Sequence, residues 1–325
     1  MRNRKKQSRN ILKEFVNGIS IVLLAGIMLF GLSVYSASEN VLTFAQISDA
    51  HYSTAKINKS YRLTAESAEL LDDAVEQVNQ TPNVDFVMFT GDMINTSFQK
   101  ELMSFIPHAN QLNVPWYAVL GNHDVCVGGF LSKKVYFDIL NSHNKNFNFC
   151  KTYYSFVPKK GYKVIGLDSI IDTRITANGY IDEAQLKWLD KELSKSKNDV
   201  VLIFLHTPLV EPLHSESHRV LNSDEVLKVI GKYKNPIAVF SGHYHTTKVT
   251  QLKNVLHVST PSLVSYPNAF RIIKINNQKN KVVFDLYFKE TRYKDVQKRA
   301  KMMAFGSQTY YGADTDRDST YTIDK

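Results

Sequence analysis

The sequence predicts an α/β protein with a mixed sheet, and three observations carry that prediction. Through the first two-thirds of its 325 residues, short apolar runs alternate with stretches of helical periodicity, the pattern of βαβ units. Near the end, strand patterns follow one another directly, which argues for a mixed sheet. Five apolar runs also each end on a metal-binding residue type: Phe44-Ala-Gln-Ile-Ser-Asp49-Ala-His51, Phe86-Val-Met-Phe-Thr-Gly91-Asp92, Val119-Leu-Gly121-Asn122-His123-Asp124, Val201-Leu-Ile-Phe-Leu-His206 and Val239-Phe-Ser-Gly242-His243-Tyr-His245. One such ending means nothing. Five in order say that several strands of one domain deliver Asp, Asn and His to one place.

Each element follows from local pattern. Residues 41–48 form a short apolar strand leading into the first ligand pair. Residues 61–80 read as an amphipathic helix, with Leu63, Leu70, Leu71, Ala74, Val75 and Val78 on one stripe, ended by Thr81-Pro82-Asn83. Residues 84–90 are apolar in succession, a strand buried on both faces. Residues 99–112 read as a helix interrupted near Pro107, and 114–120 as a strand entering Gly121. Residues 125–149 hold Gly128-Gly129, many aromatics and Asn, and read as a loop beside the site. A strand at 163–168 precedes a helix at 182–194, with Asp182 as its cap and Leu186, Trp188 and Leu189 on its face. The run 200–205 of Val, Leu, Ile and Phe favours a central strand. A short helix at 223–233, capped by Ser223, is followed by strands at 237–241, 255–259, 271–275 and 281–288, the last two joined by a turn at 276–280. From about residue 291 the chain turns polar, and its tip is expected to be mobile. Asp314, Asp316 and Asp318 resemble the start of a calcium loop. Ser319 stands where the turn glycine belongs, and Lys325 where the closing Glu belongs, which excludes an EF-hand.

Charge distribution says more than net charge. Arg2, Arg4, Lys5, Lys6, Arg9 and Lys13 against Glu14 account for +5 of the formal +9, so the excess is a targeting feature rather than a nucleic-acid surface. Residues 18–34 form a charge-free apolar run, followed by small residues at 36–38. Residues 1–37 therefore read as a cleaved signal peptide or an N-terminal membrane anchor, with the choice open. Either puts the main domain, residues 38–290, across a membrane: anchored facing outward, or secreted or periplasmic after cleavage. Residues 291–325 are left as a polar C-terminal tail. The two cysteines, Cys126 and Cys150, permit a disulfide in an exported chain, or are two unrelated thiols.

In open α/β sheets, function gathers at the carboxyl ends of strands. Asp49, Asp92, Asn122, His206, His243 and His245 all fall at such ends. Asp49-Ala-His51 and His243-Tyr-His245 each place two ligands two residues apart, which in extended backbone share a face. Gly91, Gly121 and Gly242 each precede a ligand. Two divalent ions about 3.5–4 Å apart can share a carboxylate and activate water. Mixed Asp, Asn and His ligands suit Mn, Fe or Zn.

Taken in order, Asp49-x-His51, Gly91-Asp92-x-x-Asn95, Gly121-Asn122-His123-Asp124, the isolated His206 and Gly242-His243-x-His245 resemble the calcineurin-like metallophosphoesterase signature. Gly166-Leu-Asp168-Ser, residues 179–189 and Pro267-Asn-Ala-Phe-Arg271-Ile resemble the branch that holds bacterial cyclic-nucleotide phosphodiesterases and purple-acid-like phosphatases. Purple acid phosphatases place an iron-binding tyrosine four residues after the first Asp. Here Ser53 stands there, which favours the Asp-x-His group.

The resemblance implies a four-layer α-β-β-α sandwich and a dinuclear centre of divalent or trivalent ions. Asp49, His51 and His245 would bind the first metal, and Asn122, His206 and His243 the second. Asp92 would bridge them, and a metal-bridging hydroxide would be the nucleophile. His123 would face the substrate as stabiliser or acid. In related phosphatases a carboxylate at the position of Asn95 orients that histidine. Asn95 carries no charge, and Asp124 is the other candidate acid. The remaining histidines His108, His143, His214, His218 and His257 read as surface or local hydrogen-bonding residues.

The expected function is hydrolysis of a small phosphate mono- or diester. Two rivals stand beside it. One is an exported binding protein of the same fold without turnover, against which the full ligand set argues. The other is a nuclease, against which the weak charge of the main domain argues; no nucleic-acid partner is expected. Oligomeric state is left open.

Overall fold

The computed structural model describes residues 40–125 and 127–325. Among the described residues, twelve strands form two six-stranded sheets. In the first, β1 (Val41–Ile47), β2 (Phe86–Thr90) and β3 (Trp116–Val119) run parallel. β10 (Ala269–Asn277), β11 (Lys281–Glu290) and β12 (Ser319–Asp324) extend that sheet as antiparallel partners in the order β12-β11-β10-β1-β2-β3. The second sheet has the order β4-β5-β6-β7-β9-β8. Its parallel centre is β5 (Tyr162–Gly166), β6 (Val200–Phe204), β7 (Ile237–Ser241) and β9 (Val255–Ser259). Its antiparallel edges are β4 (Tyr154–Phe156) and β8 (Lys248–Leu252). Both sheets are mixed, as expected.

The strands bury both faces, and their period of two divides the core into layers. In β1, Leu42 and Phe44 face the other sheet, while Ala45 and Ile47 face helices. In β6, Val200, Leu202 and Phe204 face inward, while Val201 and Ile203 face outward. Between the sheets Phe44 stacks on Phe86 at 5.1 Å and meets Phe204 and Phe240 edge-on at 5.4 and 5.2 Å. Helices α1 (Ser67–Gln80), α2 (Gln99–Ala109), the single turn α3 (Asn122–Val125) and α4 (Lys133–His143) follow the first three strands. Leu70, Leu71, Phe105 and Leu140 of α1, α2 and α4 cover the first sheet. Leu189 and Val226, from α5 (Glu183–Lys195) and α6 (Ser223–Ile230), cover the second. The four layers α-β-β-α are thus present.

Local expectations hold unevenly. The Asp182 side chain accepts from Gln185 N and caps α5 as expected, whereas Ser223 lies inside α6 and Asn222 takes the cap position. Pro107 sits within α2 rather than interrupting it. Residues 133–143, expected as loop, form α4, capped by Ser132 with Tyr136, Phe137, Ile139 and Leu140 buried.

The polar tail expected at 291–325 is corrected. Those residues form α7 (Lys294–Met303), α8 (Ser307–Tyr311), α9 (Asp314–Arg317) and β12, which pairs with β11 from Lys281↔Asp324 to Leu286↔Ser319. The polar residues are used inside. Arg271 is fully buried and donates to the carbonyls of Asp316 (2.7 Å) and Arg317 (3.2 Å), while Asp316 accepts from Val249 N at 2.9 Å. Composition marks such a segment as solvated because buried polar pairs leave no apolar signal.

The signal or anchor read at residues 1–37 lies outside the described residues. Among those described, no helix is long and apolar enough to cross a membrane. Cys126 also lies outside the described residues; Cys150 is an exposed, free thiol.

Candidate metal centre

Parallel strands bring their carboxyl ends to one edge. β1 runs into Asp49 and His51, β2 into Asp92, β3 into Asn122 and His123, β6 into His206, and β7 into His243 and His245. The side chains meet in groups whose ligand atoms lie within 4.8 Å: Asp49 with His51 and His245, and Asp92 with His206 and His243. In the first, Nε2 of His245 is 3.3 Å from Asp49 Oδ1 and 3.2 Å from His51 Nε2. In the second, His206 Nε2 lies 3.0 Å from His243 Nδ1 and 3.2 Å from Asn122 Oδ1. Asp92 Oδ2 reaches both groups, 3.6 Å from His51 Nε2 and 3.4 Å from His206 Nε2.

The backbone reason for this convergence differs from the expected one. Asp49, His51, His243 and His245 are not extended: φ is +51°, +38°, +71° and +54°, and Asp92 has +48°. Left-handed backbone at five non-glycine ligands stores about 1–3 kcal/mol at each. It also sends His243 to one group and His245 to the other, which an extended dipeptide sharing one face would not do. Close approach sets the glycines. A Cβ on Gly121 would lie 2.1 Å from Asp92 N, and one on Gly242 1.8 Å from Ser48 Oγ.

Electrostatics fit a cation-binding role. Burial pushes the Asp92 carboxyl up, but His206, His123 and His51 outweigh it and hold it well below the usual carboxylate range. Burial holds His51 and His243 well below the ordinary imidazole range, so both are neutral, the form that ligates metals. His206 is the exception. Burial lowers it, yet the Asp92 charge and hydrogen bond raise it to about 10. Its Nδ1 donates to Thr90 O at 2.9 Å, so the proton balancing Asp92 sits on Nε2, inside the second group. A buried carboxylate thus draws positive charge to the position where ligand atoms converge. Carboxylates, an amide oxygen and imidazoles, without thiolate, suit borderline or hard divalent ions.

Two of the expected acid–base residues make backbone contacts that the sequence does not show. His123 Nδ1 donates to the main-chain carbonyl of Asn95 at 2.7 Å, so Asn95 orients the ring through its backbone. Asp124 is held by backbone amides. It is fully buried, and its oxygens accept from Gly121 N (2.8 Å) and Ile94 N (3.1 Å), which ties two ligand loops together. Burial and then the nearby Asp92 charge push its carboxyl up to about 8.

Arg62 was not singled out by the sequence. Its Nη1 donates to His123 Nε2 at 3.0 Å, and its Nε is buried without a partner. It sits on the connector between β1 and α1, where no spacing rule marks it. His218, read as a local residue, bonds Ser217 Oγ at 2.8 Å but also lies with its ring 5.3 Å from that of His243. His108 is local, bonded to Asp72 at 2.6 Å and Tyr52 at 3.2 Å.

The model of the calcineurin-like phosphoesterase family matches residues 42–247, the stretch that carries every ligand described above. The chain belongs to this family. A calcineurin-like dimetal centre implies two divalent ions here. Similar proteins include a probable glycerophosphodiester phosphodiesterase of Arcobacter nitrofigilis, 28% identical over 67% of this chain and 77% of its own length. A 3',5'-cyclic-nucleotide phosphodiesterase of Nostoc is 26% identical over 68% and 78%. A manganese-dependent ADP-ribose/CDP-alcohol diphosphatase of Arabidopsis thaliana is 24% identical over 65% and 82%. The fold matches a dimetal phosphatase of Danio rerio, with a TM-score of 0.59 at 18% identity over 77% of this chain and 99% of that one. The chain is accordingly a hydrolase acting on phosphoric ester bonds.

Proposed function

We propose that this chain hydrolyses small phosphodiesters, with Asp49, His51 and His245 holding one ion, Asn122, His206 and His243 the other, and Asp92 shared. The observation that carries this reading is Asp92, whose one oxygen stands within 3.6 Å of both ligand groups. When bound, the ions supply an activated water and polarise the phosphoryl oxygens. Mn, Fe and Zn are the metals this donor set suits. The diester preference draws on the relatives, whose names include glycerophosphodiester and cyclic-nucleotide phosphodiesterases.

The protein's own groups do the rest. His123 accepts from Arg62 in its observed pairing, and burial lowers its pKa below the ordinary imidazole value, so it is neutral at pH 7. Arg62 then carries the positive charge beside the phosphate position. Its guanidinium, with five donors, can bind a phosphoryl oxygen while His123 positions it. We also read residues 1–37 as an export or anchoring segment, on the basic head and the apolar run at 18–34. Recovery of the full chain from cytosol after fractionation would end that part of the reading.

The deciding experiment uses metal-stripped protein reloaded with Mn, Fe or Zn. Hydrolysis of bis-p-nitrophenyl phosphate, p-nitrophenyl phosphate and cyclic AMP is compared, with Asp92→Ala as control. Metal-dependent turnover that favours diesters and is lost in the control is the expected result. Two metals bound without any turnover would favour a binding role instead, and no metal bound would sink the assignment.

A further inference from the structure

The family match ends at residue 247, but the chain beyond it returns to the site. The carbonyl of Tyr310 in α8 accepts from Thr247 N at 3.0 Å and Thr247 Oγ1 at 2.9 Å, two residues past the ligand His245. Gly312 follows at φ +74°, so close that a Cβ there would lie 2.4 Å from the Thr247 carbonyl. Across from α8, Leu63 N donates to Val264 O at 2.7 Å and fixes the segment carrying Tyr61 beside Ser265. Between these two fastened segments lies a cavity of about 330 Å³. Its walls include Tyr61, Tyr266, Phe305 and Tyr310, and it reaches His245 and Ser265.

His245 makes this cavity an annex of the metal centre. Its Nε2 faces Asp49 and His51, its Nδ1 bonds Ser265 Oγ at 2.8 Å, and its ring centre is 6.0 Å from that of Tyr61. Phe305 is 96% exposed and Tyr61 47% exposed, so two rings stand in water at the opening of an apolar space. Surfaces of this kind mark ligand sites. The volume is at the small end of ligand pockets, which run about 300–1,000 Å³, so it suits one ring system rather than a long acyl chain.

Resting on the phosphoesterase reading above, we propose that this cavity holds an aromatic ring on the alcohol part of the phosphate ester, a nucleobase or an aryl group. The ring stacks against Tyr61, Phe305 and Tyr310 while the phosphate lies at the ligand groups. Substrate choice is then set by residues 305–310, beyond the family domain, and a glycerol arm would leave these walls unused.

Binding can be read without turnover. Saturation-transfer NMR on the metal-free full chain would compare adenosine and phenol with glycerol and hexanol. Ring protons of adenosine or phenol should saturate and glycerol should not; adenosine alone would indicate a nucleobase, and both an aryl site. Phe305→Ala and Tyr310→Ala should each weaken ring binding about tenfold, the size of one lost base–aromatic stack. Phe305 is exposed, and Tyr310 contacts Thr247 through its main chain, so neither change removes that anchor; Tyr310 also packs against the core, and an unchanged Tm for Tyr310→Ala separates lost stacking from lost packing. In the Mn-loaded enzyme, the ratio of kcat/KM for an aryl or nucleoside diester over a glycerophosphodiester should fall by the same factor. Absent ring saturation, saturation unchanged in both variants, or hexanol binding in preference to the rings would overturn the proposal. Ring binding lost in both variants supports it even where no ester turns over, an outcome that would instead count against the reading of the metal centre.

Discussion

His123 is held with its Nδ1 proton on a carbonyl and its Nε2 accepting from Arg62, so the charge next to the phosphate position is a guanidinium. Arg62→Ala should lower kcat/KM about a hundredfold, the cost of removing one preorganised donor to a developing charge. Metal content should stay at the wild-type level, since Arg62 is outside both ligand groups. Arg62→Lys should recover only part of the loss, because an ammonium does not reproduce the fork. Metal analysis alongside kinetics checks this: a variant that loses its metals, or keeps full kcat/KM, sinks the role. At this scale the convergence of the seven candidate ligands was legible because strand ends and ligand types coincide in the sequence. Arg62 was not, because its contact with His123 spans 61 residues and depends on how the connector after β1 folds back. The contacts of Asp124 were hidden for a related reason: adjacency to His123 in sequence does not say that its carboxylate accepts from Gly121 N and Ile94 N.

Elements are tied to the sheets by a few buried ionic contacts that composition does not reveal. Glu192 of α5 meets Lys163 of β5 at 3.0 Å, Ser155 of β4 at 2.8 Å and Lys195 at 2.8 Å. Burial raises its pKa, but the hydrogen bonds from Lys195, Lys163 and Ser155 prevail and bring it to about 2. A depressed carboxyl stabilises the fold above its unfolded value, near 4.5, and the contribution fades as pH falls towards 2. Glu192→Gln should therefore cost about 2–3 kcal/mol at pH 7 and almost nothing near pH 2, read by urea unfolding at both pH values. An equal cost at both would assign the loss to packing. Arg271 does the same for the C-terminal elements. Arg271→Ala leaves the carbonyls of Asp316 and Arg317 without their donor and should free residues 291–325 to limited proteolysis while the strands stay protected. α4 and β12 escaped the sequence reading because one is amphipathic within an aromatic, Asn-rich stretch and the other is a polar edge strand paired only on one side.

At the scale of the whole molecule, the two sheets contribute different candidate ligands to one cluster. Asp49, His51, Asp92 and Asn122 follow strands of the first sheet; His206, His243 and His245 follow strands of the second. The sheets are otherwise joined by the phenylalanine layer around Phe44, Phe86, Phe204 and Phe240. Left-handed backbone at five of these residues leans against the folded state until the converging side chains gain a shared partner. Metal binding should therefore act as a stabiliser of the fold. At a free-metal concentration about a thousand times Kd, linkage gives about 4 kcal/mol, or about 6–7 °C in Tm for a chain of this size. Calorimetry of metal-free and Mn-loaded protein should show that rise. Asp92→Asn removes the shared charge; because the neighbouring histidines hold the Asp92 carboxyl well below the usual range, its metal-free Tm at pH 7 should fall while the Mn-dependent rise shrinks. If the rise is unchanged in Asp92→Asn, the ions do not share that carboxylate and the two sheets are not joined through it.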